Sequence, residues 1–275
     1  MQNSEIVLIG GSGKTGGRIA DRLAKRGLGF RVASRSSARP FDWEKRADWA
    51  ATLTGAKRAY VSFQPDLAVS WAADAIGVLA RTAIDCGLTH IVLLSGRGEE
   101  GAQHAEEALK ASGIGYTILR ASWFCQNFSE GAFAEQVAAG KLALPTGVVK
   151  EPFIHADDIA DAAVAALTDA SHVDKTYELT GPRALTFCEA VAEIAEACGR
   201  DIAYQQISMA EFKEGLAAAG LPKGMIDLLE ELFTQVLDGR NSGVANGVAE
   251  ILGRPAKDFG DYAREAAANG TWRVG

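Results

Sequence analysis

Gly10, Gly13 and Gly16 stand three residues apart, directly after the apolar run Ile6-Val7-Leu8-Ile9. An amphipathic stretch follows, with Ile19, Ala20, Leu23 and Ala24 on one face. Strand, tight turn and helix in that order build a place for a pyrophosphate. Gly10 permits the turn, Gly13 lets backbone N–H groups approach phosphate oxygens, and Gly16 lets the helix pack close to the strand. The helix N-terminus turns its unpaired N–H donors and partial positive charge toward the anion. Ser12, Lys14 and Thr15 complete the loop. The run Ser12-Gly13-Lys14-Thr15 also matches the end of a nucleoside-triphosphate P-loop, but that motif needs a glycine where Leu8 stands. A glycine-rich turn with no ligand is the remaining alternative.

Cofactor choice is set where the second strand ends, at Val32-Ala33-Ser34-Arg35-Ser36. An acidic residue there would bind the ribose 2′-hydroxyl of NAD, whereas Arg35 between two hydroxyls suits the 2′-phosphate of NADP(H). The alternative for Arg35 is a solvated surface arginine. Asp42 is either a cap on the adenine amino group or a turn residue. Ser62, Phe63 and Gln64 follow the next strand and are expected along the adenosine ribose, with Pro65 stiffening their turn. Ser95 and Gly96 end a further strand at the expected nicotinamide end. Ser95 either bonds the substrate or carboxamide or caps the strand. Ala121, Ser122 and Trp123 follow the next strand, where nicotinamide and substrate should meet. Trp123, Phe124 and Phe128 suggest a flat-sided apolar pocket, or else core packing, with Asn127 orienting a polar substrate group. Trp43, Trp49 and Trp71 are expected to pack outside the pocket. Asp157-Asp158 reads as a helix N-cap with acidic charge at the positive helix end. His155 reads as a satisfied structural histidine, and Cys125 as a packing residue.

Elements that position these residues follow from the apolar pattern. Strands are expected at Phe30–Ser34, Ala59–Phe63, His90–Ser95, Tyr116–Leu119 and Thr176–Leu179. Helices are expected near 66–87, 101–112, 128–138, 157–168, 186–198, 209–219, 223–238 and 258–267. Between the second strand and the next helix only Pro40-Phe41-Asp42-Trp43 intervenes, so the third strand of a standard half is short or degenerate. The pattern predicts an α/β fold, a Rossmann-like doubly wound parallel sheet with a smaller, mostly helical C-terminal substrate lobe. One NAD(P)-binding domain would span 1–275, its lobe built largely from about 125–155 and 176–275. Ligands in such sheets bind beyond the carboxyl ends of the strands.

The 275 residues are 48% hydrophobic and 23% charged, with a net charge of −7 and no basic cluster, which argues against nucleic-acid binding. No apolar run approaches the roughly 20 residues of a membrane span. The first strand begins by about Glu5, so no secretory leader is expected. Cys86, Cys125, Cys188 and Cys198 lack CxxC or metal-ligand spacing, which fits reduced thiols in a cytoplasmic protein and no metal.

With these residues in place, the chain resembles the NmrA-like group of atypical short-chain dehydrogenases. The resemblance is carried by Gly10 to Gly16, Ser34-Arg35, Ile91-Val92-Leu93-Leu94-Ser95, and Ala111 through Arg120. It continues in Trp123-Phe124, Asn127-Phe128 and Pro152-Phe153-Ile154-His155-Ala156-Asp157-Asp158-Ile159-Ala160. It is similar to quinone, triphenylmethane-dye and ergot-alkaloid-type reductases. The resemblance implies an NADPH-dependent reductase of a small hydrophobic acceptor: quinone, imine, carbonyl or activated alkene. The family also includes non-catalytic NADP(H)-binding regulators, so a redox sensor is the second reading. No tyrosine here has a lysine four residues on; Tyr116 is followed by Arg120, which removes the usual proton relay. Family members often carry a basic residue four before a glutamate here. That glutamate matches Glu106, and the basic position falls on Ala102. His104, two residues away, is either the proton donor or an exposed helix histidine. The expected partner is a small-molecule substrate, with a monomer or homodimer as the assembly.

Overall fold

Ile6-Val7-Leu8-Ile9 forms β1 (Ile6–Ile9), and all four side chains are buried, as an inner strand of a parallel sheet requires. The structure is a computed structural model and describes residues 5–131 and 133–273. β2 (Phe30–Ala33), β3 (Arg58–Ser62), β4 (His90–Gly96), β5 (Gly115–Ala121) and the strand Lys175–Leu179 join β1 in one parallel sheet. Its order is β2-β1-β3-β4-β5 and then Lys175–Leu179. Ile9 lies beside Ala33 on one side and Val61 on the other. The chain leaves β1 toward β2 and then returns past it to β3. The carboxyl ends of β1 and β3 therefore form the switch point at which such sheets bind ligands.

No strand lies between Ala33 and Arg58; a 3-10 turn (Arg46–Asp48) and the short helix α2 (Trp49–Leu53) fill that stretch. Phe41, Trp49 and Leu53 are buried there and close the sheet edge with side chains in place of a third strand. α1 (Lys14–Lys25), α3 (Ala72–Asp85) and α4 (Glu100–Ala111) make the crossovers. The helix expected from residue 66 begins at Ala72, because Asp66 accepts the Ala68 N–H (2.8 Å) and holds the preceding chain in a turn.

This sheet belongs to the first of two compact units, formed by the chain to Ala121, Ala156–Leu179 and Asn246–Arg254. Within it the helix Ala156–Thr168 packs against α1. Because that helix begins at Ala156, Asp157 and Asp158 lie in its first turn and are not its N-cap. Both carboxylates are paired: Asp157 with Arg18 (3.2 Å) and Arg22 (3.1 Å), Asp158 with Arg254 (2.7 Å). Arg22 also pairs with Asp161.

The second unit comprises Ser122–His155, Thr180–Ala245 and the chain from Pro255. Phe128, Phe133, Phe153, Phe187, Phe259, Tyr262 and Trp272 form its buried aromatic core. The helix Phe187–Cys198 starts at a capping box between Thr186 and Glu189, and Met209–Ala218 at one between Ser208 and Glu211. The single helix expected over 223–238 is α-helical only over Lys223–Glu231 and widens into a π-turn at Leu232–Val236. The helix expected over 128–138 is a 3-10 turn, Cys125–Phe128, and a short helix, Ala134–Ala138. Two pairs of short strands were not foreseen: Lys141–Leu144 with Ala203–Gln206, and Lys150–Glu151 with Leu185–Thr186. Each is too short to give a periodic signal.

His90 opens β4 and is 4% exposed. Its Nε2 lies 2.9 Å from Thr117 Oγ1, which donates its own proton to the His172 carbonyl at 2.7 Å. Burial, with Arg58 nearby, pushes the imidazole down to about 4. The folded chain thus resists a proton that the unfolded chain accepts near 6.5. This contribution to stability is complete above the unfolded value and is lost as the pH falls from there toward the folded value. The slope is up to about 1.4 kcal/mol per pH unit. In urea unfolding at stepped pH, His90→Gln is expected to flatten this acid limb; an unchanged slope would refute the assignment.

Candidate functional site

The loop after β1 is shaped by backbone crowding. Gly10 sits at φ +79°, and its N–H donates to the Ala33 carbonyl at 3.1 Å. A Cβ on Gly16 would collide with the Gly10 carbonyl oxygen and lie 2.5 Å from the Gly11 Cα. Only glycine lets α1 cross the loop this closely. Gly13 is the N-cap of α1, no side chain caps it, and no acidic residue occupies the first turn. The helix thus begins with donors directed at the loop and no fixed negative charge beside them. Thr15 Oγ1 pairs with the buried Tyr60 hydroxyl at 2.7 Å, so this threonine ties helix to sheet. Burial pushes the Tyr60 phenol above its usual range and keeps it protonated.

A cleft of about 680 Å³ opens at the switch point, within the range of small-molecule sites. Gly10, Ser12 and Gly13 line it from the β1 side, and Ser34, Arg35 and Ser36 from the end of β2. Ser62 ends β3 and Gln64 and Pro65 follow it, and Phe41, Asp42, Trp43, Glu44 and Trp71 add to the wall. Arg35 is exposed. The turn that carries it is fixed: the Ser37 hydroxyl accepts the Ser34 N–H at 3.1 Å and donates to the Ser34 carbonyl at 2.9 Å. Asp42 lines the cleft and also serves as a turn residue, accepting the Glu44 N–H at 3.1 Å. Lys14, Thr15 and Gly16 lie in the first turn of α1. Trp49 is core, as expected. Trp43 packs against the same core, and both it and Trp71 also line the cleft. Phe63 is buried between them, its ring 4.4 Å from Trp43 and 4.7 Å from Trp71.

At the ends of β4 and β5 charged side chains gather around the buried Ser95 and Glu106. Ser95, 2% exposed, donates to Glu106 at 2.6 Å. Glu106 is fully buried and takes Arg120 in a two-pronged pair, Nε at 2.9 Å and Nη2 at 2.6 Å. Arg120 also faces Glu178 (3.7 Å), which pairs with Arg97 (2.9 Å). The hydrogen bonds it donates to Glu106 raise the Arg120 guanidinium further. With its proton given to a carboxylate, Ser95 keeps only acceptor capacity for a ligand. Sequence reading placed Glu106 but not this role. Its signal was helical spacing: Ala102, Ala105, Glu106 and Leu109 share the buried face of α4. His104 is on the exposed face. Gly96 and Ala121 are the last residues of β4 and β5.

In the second unit, the Ser122 hydroxyl is buried with no hydrogen-bond partner among the described residues. Trp123 is half-buried; its N–H donates to Glu151 at 3.2 Å, and its ring meets Phe233 (5.1 Å), Phe187 (5.7 Å) and Phe133 (6.3 Å). Phe124 and Asn127 are half-buried. Phe128 is fully buried, packed against Phe133, Phe153, Phe187 and Phe259. Cys125 is buried, and His155 pairs with Gln126 at 3.0 Å. Among the described residues no cluster of His, Cys, Asp or Glu is placed to hold a metal ion, and no helix is long and apolar enough to cross a membrane.

A parallel sheet with a glycine loop and cleft at its switch point defines a dinucleotide-binding class of protein. Residues 103–248 match the model of the NmrA-like family. An agroclavine dehydrogenase of Claviceps fusiformis is 30% identical, over 94% of this chain and 95% of that protein. An NAD(P)H azoreductase of Xenophilus azovorans is 28% identical, over 96% and 98%. The structure of an NADPH-dependent quinone oxidoreductase of Escherichia coli, complexed with NADPH, superposes with a TM-score of 0.78 at 23% identity, covering 94% of this chain and 99% of that one. The chain belongs to the NmrA-like family.

Glu106 is the most buried charge of the site; removing it takes the acceptor from Ser95 and leaves Arg120 with Glu178 alone. Glu106→Ala is expected to lower the unfolding free energy by about 3 kcal/mol, as for other broken buried pairs. Urea unfolding checks this; a loss below about 1 kcal/mol would show that water replaces the carboxylate without cost.

Proposed function

We propose that this chain is an NADPH-dependent reductase that passes hydride to a small hydrophobic acceptor, of the quinone, imine, carbonyl or activated-alkene type. The observation that carries the reading is Arg35, an exposed guanidinium on the wall of the cleft that the glycine loop opens. Its planar fork matches a 2′-phosphate, and the Ser34 and Ser36 hydroxyls flank it. The uncapped start of α1 suits the pyrophosphate. Names of the relatives, an NAD(P)H azoreductase and an agroclavine dehydrogenase among them, support the same class.

NADPH, when bound, supplies the hydride from its nicotinamide ring. The chain's own residues then hold and orient. In this reading Ser95, Gly96, Ala121 and Ser122 take the nicotinamide end. Ser95, its proton committed to Glu106, accepts from the carboxamide amine. Ser122, buried with no hydrogen-bond partner among the described residues, donates to a carbonyl oxygen. Trp123 offers an apolar indole face to the acceptor, with Phe124 and Asn127 beside it in sequence and Phe128 supporting from the aromatic core. No tyrosine carries a lysine four residues on, so rate comes mainly from positioning, and electron-poor acceptors suit it best. His104 is the side chain proposed to donate the proton that completes the reduction.

Titration with NADPH and NADH, followed by nucleotide fluorescence, is expected to show preference for NADPH. Arg35→Ala should weaken NADPH at least about tenfold, the scale of one charge-assisted contact, and leave NADH unchanged. Equal loss for both nucleotides would remove Arg35 from the phosphate. With a quinone or cyclic-imine acceptor, Trp123→Ala and His104→Ala are expected to cut turnover while NADPH affinity holds. Normal turnover in both variants would sink these two assignments. Tight NADPH binding with no acceptor reduced would favour the redox-sensor reading.

A further inference from the structure

Trp71 is 37% exposed and lines the cleft, whereas most aromatic side chains of the chain are buried. Among the described residues it is the one aromatic of the exposed large hydrophobic side chains. Its ring leans on Phe63 at 4.7 Å, and Phe63 leans on Trp43 at 4.4 Å. Trp43 is held further by Phe41 (4.9 Å, edge-on) and Trp49 (5.6 Å, edge-on). The two cleft-lining indoles are thus buttressed from behind by a packed aromatic cluster. Such a wall exposes π surface to water at a cost unless something flat covers it.

We infer that Trp71 and Trp43 stack the adenine ring of NADP(H), and that this aromatic wall contributes to dinucleotide affinity alongside Arg35. The inference rests on the reading of the cleft as an NADP(H) site. Adenine is carried on the ribose carbon next to the one that bears the 2′-phosphate. A phosphate held by Arg35 therefore leaves the base within the same cleft. Of the aromatic side chains lining that cleft, Phe41 is buried, so Trp43 and Trp71 offer the flat faces, and Asp42 and Glu44 offer acceptors for the exocyclic amine. Base stacking on an aromatic side chain is tolerant of ring type and strong enough to be read by substitution.

The test uses the full chain and adenosine 2′,5′-bisphosphate, which has the base and the 2′-phosphate but no nicotinamide. Binding is followed by calorimetry and by tryptophan emission. The wild type is expected to bind it with quenching of emission. Trp71→Ala should weaken binding about tenfold and reduce the quench, while Trp71→Phe restores affinity to within about threefold of wild type. Because Trp71 is exposed, thermal unfolding of both variants should stay near that of the wild type, which separates stacking from misfolding. Trp71→Ala binding as tightly as wild type, with Arg35→Ala still weakening the bisphosphate, would overturn the stacking and leave the cofactor site intact. Equal losses in the Ala and Phe variants would also overturn it, since a ring remains in one of them. A wild type that binds neither the bisphosphate nor NADPH would overturn both the stacking and the parent reading.

Discussion

The close crossing of α1 over the loop after β1 is the constraint on which the site depends. Gly16 stands against the Gly10 carbonyl with no room for a side chain. That contact fixes where the first turn of α1 begins and so where its unpaired N–H groups point. The loop could not be placed so tightly without Gly10 at positive φ. It is anchored in turn to β2 through the Gly10 N–H bond to Ala33. One backbone arrangement thus joins β1, β2 and α1 at the edge where the cleft opens.

Charge is handled differently at the two parts of the sheet edge. At the cleft, Arg35 is exposed and can meet an anion with little desolvation. Under β4 and β5, Glu106 is fully buried and is paired with Arg120 and Ser95. A buried carboxylate without such partners would be strongly disfavoured. The pair also decides chemistry nearby, because it turns the Ser95 hydroxyl into a donor toward Glu106. The Ser95 hydroxyl is thereby left with acceptor capacity only. The same logic of satisfied polar groups governs α1 and the helix Ala156–Thr168, where Arg18, Arg22 and Arg254 answer Asp157, Asp158 and Asp161.

Aromatic residues are divided between the two units. The second unit uses them as core, with Phe128 and Phe187 at the centre of a cluster of edge-on and tilted ring pairs. The first unit gathers Phe41, Trp43, Trp49, Phe63 and Trp71 around the segment that replaces a missing strand. There the cluster does two things: it seals the sheet edge and supplies one wall of the cleft. Trp123 stands between such roles, half-buried with three phenylalanine rings against it.

Local sequence determined the parts governed by local physics. Ile6 to Gly16 specified strand, turn and helix, because the glycine requirement and the apolar periods act over a few residues. The alternation of strands and helices gave the parallel sheet, and the thin stretch Pro40 to Trp43 disclosed the absent strand. Family membership was legible in the same motifs. Tertiary structure alone decided which tryptophans face the cleft and which is wholly core, since nothing in local sequence separates Trp43 and Trp71 from Trp49. It alone brought Glu106 to Arg120 and Ser95, three residues on three elements whose pairing depends on sheet register and helix rotation. It also moved Asp157 and Asp158 from a capping role to ion pairs with arginines distant in sequence. Spacing along a chain fixes which face a residue occupies; what that face meets is set by packing between elements.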